Sequence, residues 1–367
     1  MGCKRLQQIW LNVSYKHAED VTSILTAYGA SLTRICVLNG GCSELYVPLV
    51  EARLCGIHFL YTPFSWNYWK QLNLISVREL SLSELSQPDY WPSLATSCPM
   101  LEYLAVQRVG QTLEPVLAKT VTDLPLLHTL LLGQISLKMQ NVEFLLRQCP
   151  KLRRLLFGIE VDKEITERFW SRPYVPITNT TKGGIVGDIS NDAGLLELYC
   201  GSVSINYLAT ELQLHPNLHT LAARMSASDV QYYSNFFNVV GSSRIRSLRL
   251  LNVYADLVPH CFKLRDMVEV RLNFDQCNQT QLDLSPLVTA LASRSPQLHC
   301  LVLAYLPVPI MNIPMMVTRF RKLEELSISV APQVIRVYGT KKTKVVDAIK
   351  QGVRALCPDM RNIDLSI

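Results

Sequence analysis

The sequence predicts an α/β solenoid: a single file of short parallel strands, each joined to the next by a helical or irregular return segment. Two observations predict it. The first is a template that recurs six times: CPMLEYLAV (98–106), LPLLHTLLL (124–132), CPKLRRLLF (149–157), HPNLHTLAA (215–223), SPQLHCLVL (295–303) and CPDMRNIDL (357–365). In each copy, apolar or alanine residues stand two, five and seven positions after the proline. The second is spacing. Without the proline, the core L-x-x-L-x-L pattern starts at Leu6, Leu32, Leu54, Val77, Leu101, Leu127, Leu152, Leu195, Leu218, Ile245, Met267, Leu298, Leu323 and Met360. Most successive starts fall 22–27 residues apart. A period of about 20–29 residues with this core is the signature of a leucine-rich repeat.

Each element follows from the pattern. Side chains alternate faces along a strand. The fourth and sixth positions of the core, such as Leu155 and Phe157, therefore enter the interior together, and Arg154 and Leu156 face away. Parallel neighbours need a crossover of about a dozen residues. Helical periodicity supplies it at 17–28, with Val21, Ile24, Leu25 and Tyr28 on one stripe, and at 141–148 and 345–356. The proline stands just past the helix, which it cannot continue, and it biases the residue before it toward extended geometry. Cys-Pro-x-Leu thus reads as a helix-to-strand corner, with the cysteine a small apolar plug.

The expectation for the whole chain, 1–367, is one leucine-rich-repeat solenoid (a horseshoe) of about fourteen irregular repeats, with a parallel concave sheet and a helical or irregular convex side. Residues 170–194, rich in Pro, Gly, Thr and Asn, read as a long loop or degenerate repeat, and 331–344, with its KKTK run, as an irregular insertion. A repeat starting at Leu6 leaves no room for a polar cap, which solenoid ends need. Either Trp10 and its neighbours meet a partner, or the chain is a fragment of something longer.

Composition bounds the function. The 367 residues are 49% hydrophobic and 18% charged, which is globular. The net charge of +6 shows no long basic run, so the sequence suggests an acidic protein partner, with no nucleic acid and no membrane. Eleven cysteines, an odd number without C-x-x-C pairs, suggest neither zinc nor a disulfide framework. They read as buried free thiols. The first twenty residues lack a signal-peptide core, and LVLAYLPVPIMNIPMMV (301–317) is too short and proline-broken for a membrane span. The expectation is a cytoplasmic or nuclear protein.

The CPxLxxLxL corner and the irregular 22–27-residue spacing resemble the leucine-rich-repeat region of F-box proteins and, more broadly, ribonuclease-inhibitor-like repeats. The resemblance covers nearly the whole chain and is one of architecture. It implies a substrate-holding array for a cullin-type ubiquitin ligase, whose adaptor binds an N-terminal F-box. No Leu-Pro-x-Glu opening of an F-box occurs here, so adaptor binding transfers to no residue. The asparagine of extracellular repeats is also missing: Gly40, Val109, Glu160 and Asp275 stand at that position.

No reactive constellation is legible. His215 and His219 are four apart, but they flank a corner and the strand after it. TKGGIVG (181–187) fits no phosphate-binding template. No catalytic, cofactor-binding or metal-ligating residue is assigned, and the chain reads as a non-enzymatic protein-interaction module. Its candidate surface is the concave face, whose outward strand positions include Trp10, Arg34, His58, Glu79, Tyr103, Arg154, Tyr199, Arg224, Arg249, Glu269 and Arg271. Arg224, Arg249 and Arg271 fall on three successive strands and suggest a basic column for an acidic or phosphorylated segment, with Glu269 placed to neutralise part of it. The alternative function is a stand-alone scaffold or inhibitor of the ribonuclease-inhibitor type.

Overall fold

The structure, a computed structural model, describes residues 6–12, 18–28, 31–38, 54–60, 74–85, 90–109, 114–133, 139–149, 151–158, 195–201, 204–275, 277, 283–307, 318–331, 342–357 and 360–366. The segment 170–194 lies outside them, as does most of 331–344. Lys342–Lys344 of that expected insertion instead begin a helix, Lys342–Leu356. The chain divides into two compact units, Met1–Leu195 and Leu196–Ile367.

The first unit carries seven strands in chain order: β1 (Gln8–Asn12), β2 (Arg34–Leu38), β3 (Gly56–Leu60), β4 (Glu79–Leu85), β5 (Tyr103–Val109), β6 (Thr129–Leu132) and β7 (Arg154–Phe157). Each pairs in parallel with the next. The second unit carries β8 (Glu197–Cys200), β9 (Thr220–Arg224), β10 (Ser247–Leu251), β11 (Glu269–Asn273), β12 (Cys300–Leu306), β13 (Glu325–Val330) and β14 (Asn362–Ser366). These too pair in parallel with their successors. Every strand begins two residues after the repeat start read from the sequence, from Gln8 after Leu6 to Asn362 after Met360. The leucine-rich-repeat periodicity is therefore the periodicity of the fold.

The interior is built in rows. Ile35, Ile57, Leu80, Leu104, Leu130 and Leu155 lie side by side, each fully buried. Val37, Phe59, Leu82, Val106, Leu132 and Phe157 form the next row, two residues along. Leu221, Leu248, Val270, Leu301 and Leu326 repeat the arrangement in the second unit. Return helices cover this side: α1 (Ala18–Tyr28), α2 (Tyr90–Ser97), α3 (Glu114–Thr122), α4 (Met139–Gln148), α5 (Ile205–Leu214), α6 (Tyr233–Ser242), α7 (Ser285–Arg294) and α8 (Lys342–Leu356). Among the described residues, 3-10 helices η1 (Ala227–Tyr232), before α6, and η2 (Ala255–Lys263), between β10 and β11, form part of the returns.

The corner motif is a two-bond clamp. The residue before the proline donates its N–H to the helix behind it and accepts from the first leucine of the strand ahead. Cys98 N–H bonds Leu94 O at 2.9 Å, and Leu101 N–H bonds Cys98 O at 3.1 Å. Cys149, His215, Ser295 and Cys357 repeat both bonds with Leu145 and Leu152, Glu211 and Leu218, Leu291 and Leu298, and Val353 and Met360. At LPLL the backward bond shortens to three residues, from Leu124 to Val121. The proline has no N–H to leave unsatisfied, so it fits a corner position that needs none.

Candidate binding surface

The outward face of the strands differs between the units. In the first, the positions opposite the core are themselves buried. Running across the sheet, Cys36, Ser81, Ala105 and Leu131 have no solvent exposure, Leu156 has 1% and His58 has 5%. Glu79 and Tyr103 are buried in the row beside them, and Trp10 and Arg154 are half-buried. This corrects the expectation that His58, Glu79 and Tyr103 stand open to a partner; Arg34 is half-buried. Outward alternation fixes which face a side chain takes and says nothing of what lies over that face.

Those residues instead make a polar network. Arg34, Gly56 and Glu79 are in register on β2, β3 and β4. Gly56 has no side chain, so Arg34 crosses above it: a Cβ there would stand 2.9 Å from Arg34 Cγ. The guanidinium reaches Glu79, with Nε 3.4 Å from Oε2. His58 Nε2 lies 3.6 Å from the same carboxylate oxygen, and its Nδ1 shares a 2.7 Å hydrogen bond with Ser81 Oγ. Tyr103 meets the His58 ring edge-on at 6.5 Å between centroids. A serine, an imidazole and a carboxylate in this order are the parts of a hydrolytic relay. The Ser81 hydroxyl, however, is fully buried, so no substrate carbonyl reaches it. Sequence reasoning missed this network. Its only signal was a Gly between Arg and Glu at one repeat position.

In the second unit the corresponding face is more open. Tyr199, Arg249 and Arg271 are half-buried and Arg224 is exposed. Register places Ala222, Arg249 and Arg271 in one row, and pairs Arg224 with Leu251 two residues further along. The expected three-arginine column is thus a pair, Arg249 and Arg271, with Arg224 displaced along the strand. Arg271 donates from Nε to Glu269 on its own strand, and Glu269 accepts a second bond from Ser247 Oγ at 2.8 Å. Burial alone would push the Glu269 carboxyl up, but the Arg271 bond and charge, with Ser247 and Arg249, overcome it and hold the carboxyl below its ordinary range. Among the described residues Arg249 makes no side-chain bond to a carboxylate, and its charge acts on Glu269. At the far end of β12, where the register with β13 shifts, Tyr305 is 46% exposed. Its φ of 56° is uncommon for a residue with a Cβ. Its N–H bonds Ser329 Oγ at 3.0 Å.

The cysteines are plugs. Cys36, Cys98, Cys200, Cys261, Cys277 and Cys300 are buried free thiols. Burial pushes the thiols of Cys36, Cys98 and Cys200 up to about 12 and that of Cys149 to about 11, far from the thiolate that a nucleophile needs. His215 caps α5 and its Nε2 sits 3.5 Å from Glu211 Oε2. Burial holds that imidazole below its ordinary pKa despite the neighbouring carboxylate. Among the described residues no three His, Cys, Asp or Glu side chains come together as a metal site, and no helix is long and apolar enough to cross a membrane.

The repeat length, the parallel file of strands and the L-x-x-L-x-L core define a leucine-rich-repeat protein. No family model and no curated protein matches the chain. Solved structures do. A leucine-rich-repeat protein of Leptospira interrogans is 13% identical, with a TM-score of 0.39, over 98% of this chain and 90% of that one. The complex of Rad7 and Elc1 from yeast matches at 15% identity and a TM-score of 0.45, over 94% of this chain and 87% of that one. The mouse RP105/MD-1 complex matches at 14% and 0.39, over 89% of this chain and 55% of that one. At these identities and scores the likenesses carry no argument about partner or activity.

Proposed function

We propose that the chain is a non-enzymatic protein-interaction module whose binding surface is the sheet face of the second unit. The observation that supports this most is the contrast between the two faces. Arg224 is exposed and Tyr199, Arg249 and Arg271 are half-buried, where His58, Glu79 and Tyr103 are buried. Arginine and tyrosine are the residue types that dominate binding energy at interfaces. Arg271 is already bonded to Glu269, so Arg249 and Arg224 are the cations that meet an acidic or phosphorylated segment. Affinity capture from lysate with the unaltered chain and with Arg224→Glu/Arg249→Glu tests the reading. Partners retained equally by both overturn it.

In its finer form the proposal is a substrate-recognition array of an F-box-type ubiquitin ligase, supported by the CPxLxxLxL corners. Capture of a ligase adaptor and cullin with the full-length gene product supports that form. Capture of neither assigns the chain to the stand-alone scaffold or inhibitor class.

A further inference from the structure

The excess positive charge, which looks dispersed in the sequence, is collected by the fold. Residues 196–367 hold 18 Lys and Arg against 13 Asp and Glu, whereas 1–195 hold 18 against 17. Within the second unit six of the 18 cations stand at one place in the repeat, the corner between the return segment and the strand. Arg244 stands three residues before Ser247, and Arg265 four before Glu269. Arg294 stands six before Cys300, while Arg319, Arg321 and Lys322 stand six, four and three before Glu325. All six are exposed.

The hydrogen bonds show that these residues form one line. Arg244 NH1 donates to Asn217 Oδ1 of the rung before it at 3.2 Å. Arg265 Nε donates to Gly241 O, and Arg294 NH1 to Phe262 O at 2.5 Å. Arg319 NH1 donates to Thr289 Oγ1, and Lys322 Nζ to Gln297 Oε1 at 2.6 Å. Five of the six cations thus reach back one rung, to a neutral acceptor. A guanidinium has five donors, so a single neutral bond fixes its position and leaves charge and donors for a ligand. Among the described residues the anions at this edge are Asp266 and Glu324, the latter 3.4 Å from Arg361. The same corner in the first unit is different: Ile75 is 67% exposed, Met100 is 37% exposed, and Arg78 is paired with Glu102 at 2.8 Å.

We infer that this rim of the second unit, from β10 to β13, binds the phosphate backbone of a single-stranded nucleic acid. Rungs repeat at about 4.8 Å, so four of them present a line of cations about 15 Å long that an extended phosphodiester chain can follow. Phosphate contacts of this kind position a strand without reading its sequence. One aromatic side chain lies on the line: Phe262 is 38% exposed, and its carbonyl holds Arg294. A cationic groove with an aromatic platform is the arrangement that holds single strands by charge and stacking. A protein interface would bring an apolar centre, and a membrane surface would require several inserted apolar side chains. Phe262 is the large apolar side chain exposed beside these corners among the described residues, and Tyr305, the other exposed on these rungs, stands at the far end of β12.

The test is fluorescence anisotropy of the full chain with a labelled 12-nucleotide oligo-U, a 12-base-pair duplex and a 12-residue oligo-glutamate peptide, at salt from 50 to 200 mM. Oligo-U is expected to bind with log K falling by about 2 per decade of salt, from about three contacts at 0.7 each. Arg321→Glu/Lys322→Glu weakens it at least tenfold and flattens the slope. Arg244→Glu, on the same line but a separate rung, does so independently of any folding defect in the first variant, and circular dichroism melting checks both. Phe262→Ala weakens oligo-U severalfold with no change of slope. Arg224→Glu/Arg249→Glu, on the sheet face, leaves oligo-U binding unchanged, which separates this rim from the proposed protein-binding face. No oligo-U binding at 50 mM salt, equal binding of oligo-glutamate, tighter binding of the duplex, or insensitivity to both rim variants would each overturn the inference.

Discussion

Gly241 shows what a single missing carbon does. A Cβ on it would stand 2.3 Å from the Lys263 carbonyl oxygen, and backbone does not yield as a side-chain tip does. Gly241→Ala is expected to cost about 3 kcal/mol or more in urea unfolding, at the upper end of overpacking. Tyr305 is the opposite case. Its backbone favours glycine, so Tyr305→Gly is expected to raise stability by up to about 1 kcal/mol while removing an exposed aromatic from the proposed binding face. A gain of stability with unimpaired partner capture would remove Tyr305 from that face. Glu269 has a pH signature. Its folded pKa lies below its ordinary value, so the stability it contributes is complete above the unfolded pKa, near 4.3, and is lost as pH falls through the folded value. The urea midpoint of the unaltered chain should therefore fall from pH 7 to pH 3.5 more steeply than that of Glu269→Gln.

At the scale of the element, rungs are joined by side chains that complete a neighbour's backbone. Ser295, fully buried at the corner of the β12 rung, accepts the Met267 N–H of the rung before it at 3.1 Å. Asp229 in η1 accepts the Ile205 N–H at the start of α5, one rung back, at 3.4 Å. Removing either acceptor leaves a buried donor without a partner. Ser295→Ala and Asp229→Ala are each expected to cost about 1–3 kcal/mol in chemical denaturation. The corner prolines carry less: Pro99, Pro125, Pro216 and Pro296 are exposed, and they shape the turn without filling the core.

For the whole molecule, each rung is held by the rungs beside it, which makes stability a local sum within each unit. β10 and β11 have a paired strand on both sides, and β14 pairs with β13. Native-state hydrogen exchange is expected to be slowest in β10 and β11 and faster in β14. Uniform protection from β8 to β14 would mean that the second unit opens as one body.

What the sequence determined by itself was everything that depends on period. Repeat length, strand position and the inward rows follow from alternation along one strand and from a corner that tolerates proline, and both are local. All fourteen strand starts could be placed that way, as could the plug role of Cys98 and Cys149. Tertiary structure decided what depends on neighbours. Whether His58 and Tyr103 see solvent turns on what lies over their face, and no property of β3 or β5 reveals it. The Arg34–Glu79 contact needs a glycine on the strand between them, and the offset of Arg224 from Arg249 is a fact of pairing. The basic rim emerges only on stacking, because cations separated by more than twenty residues along the chain become next neighbours when one rung is laid on another.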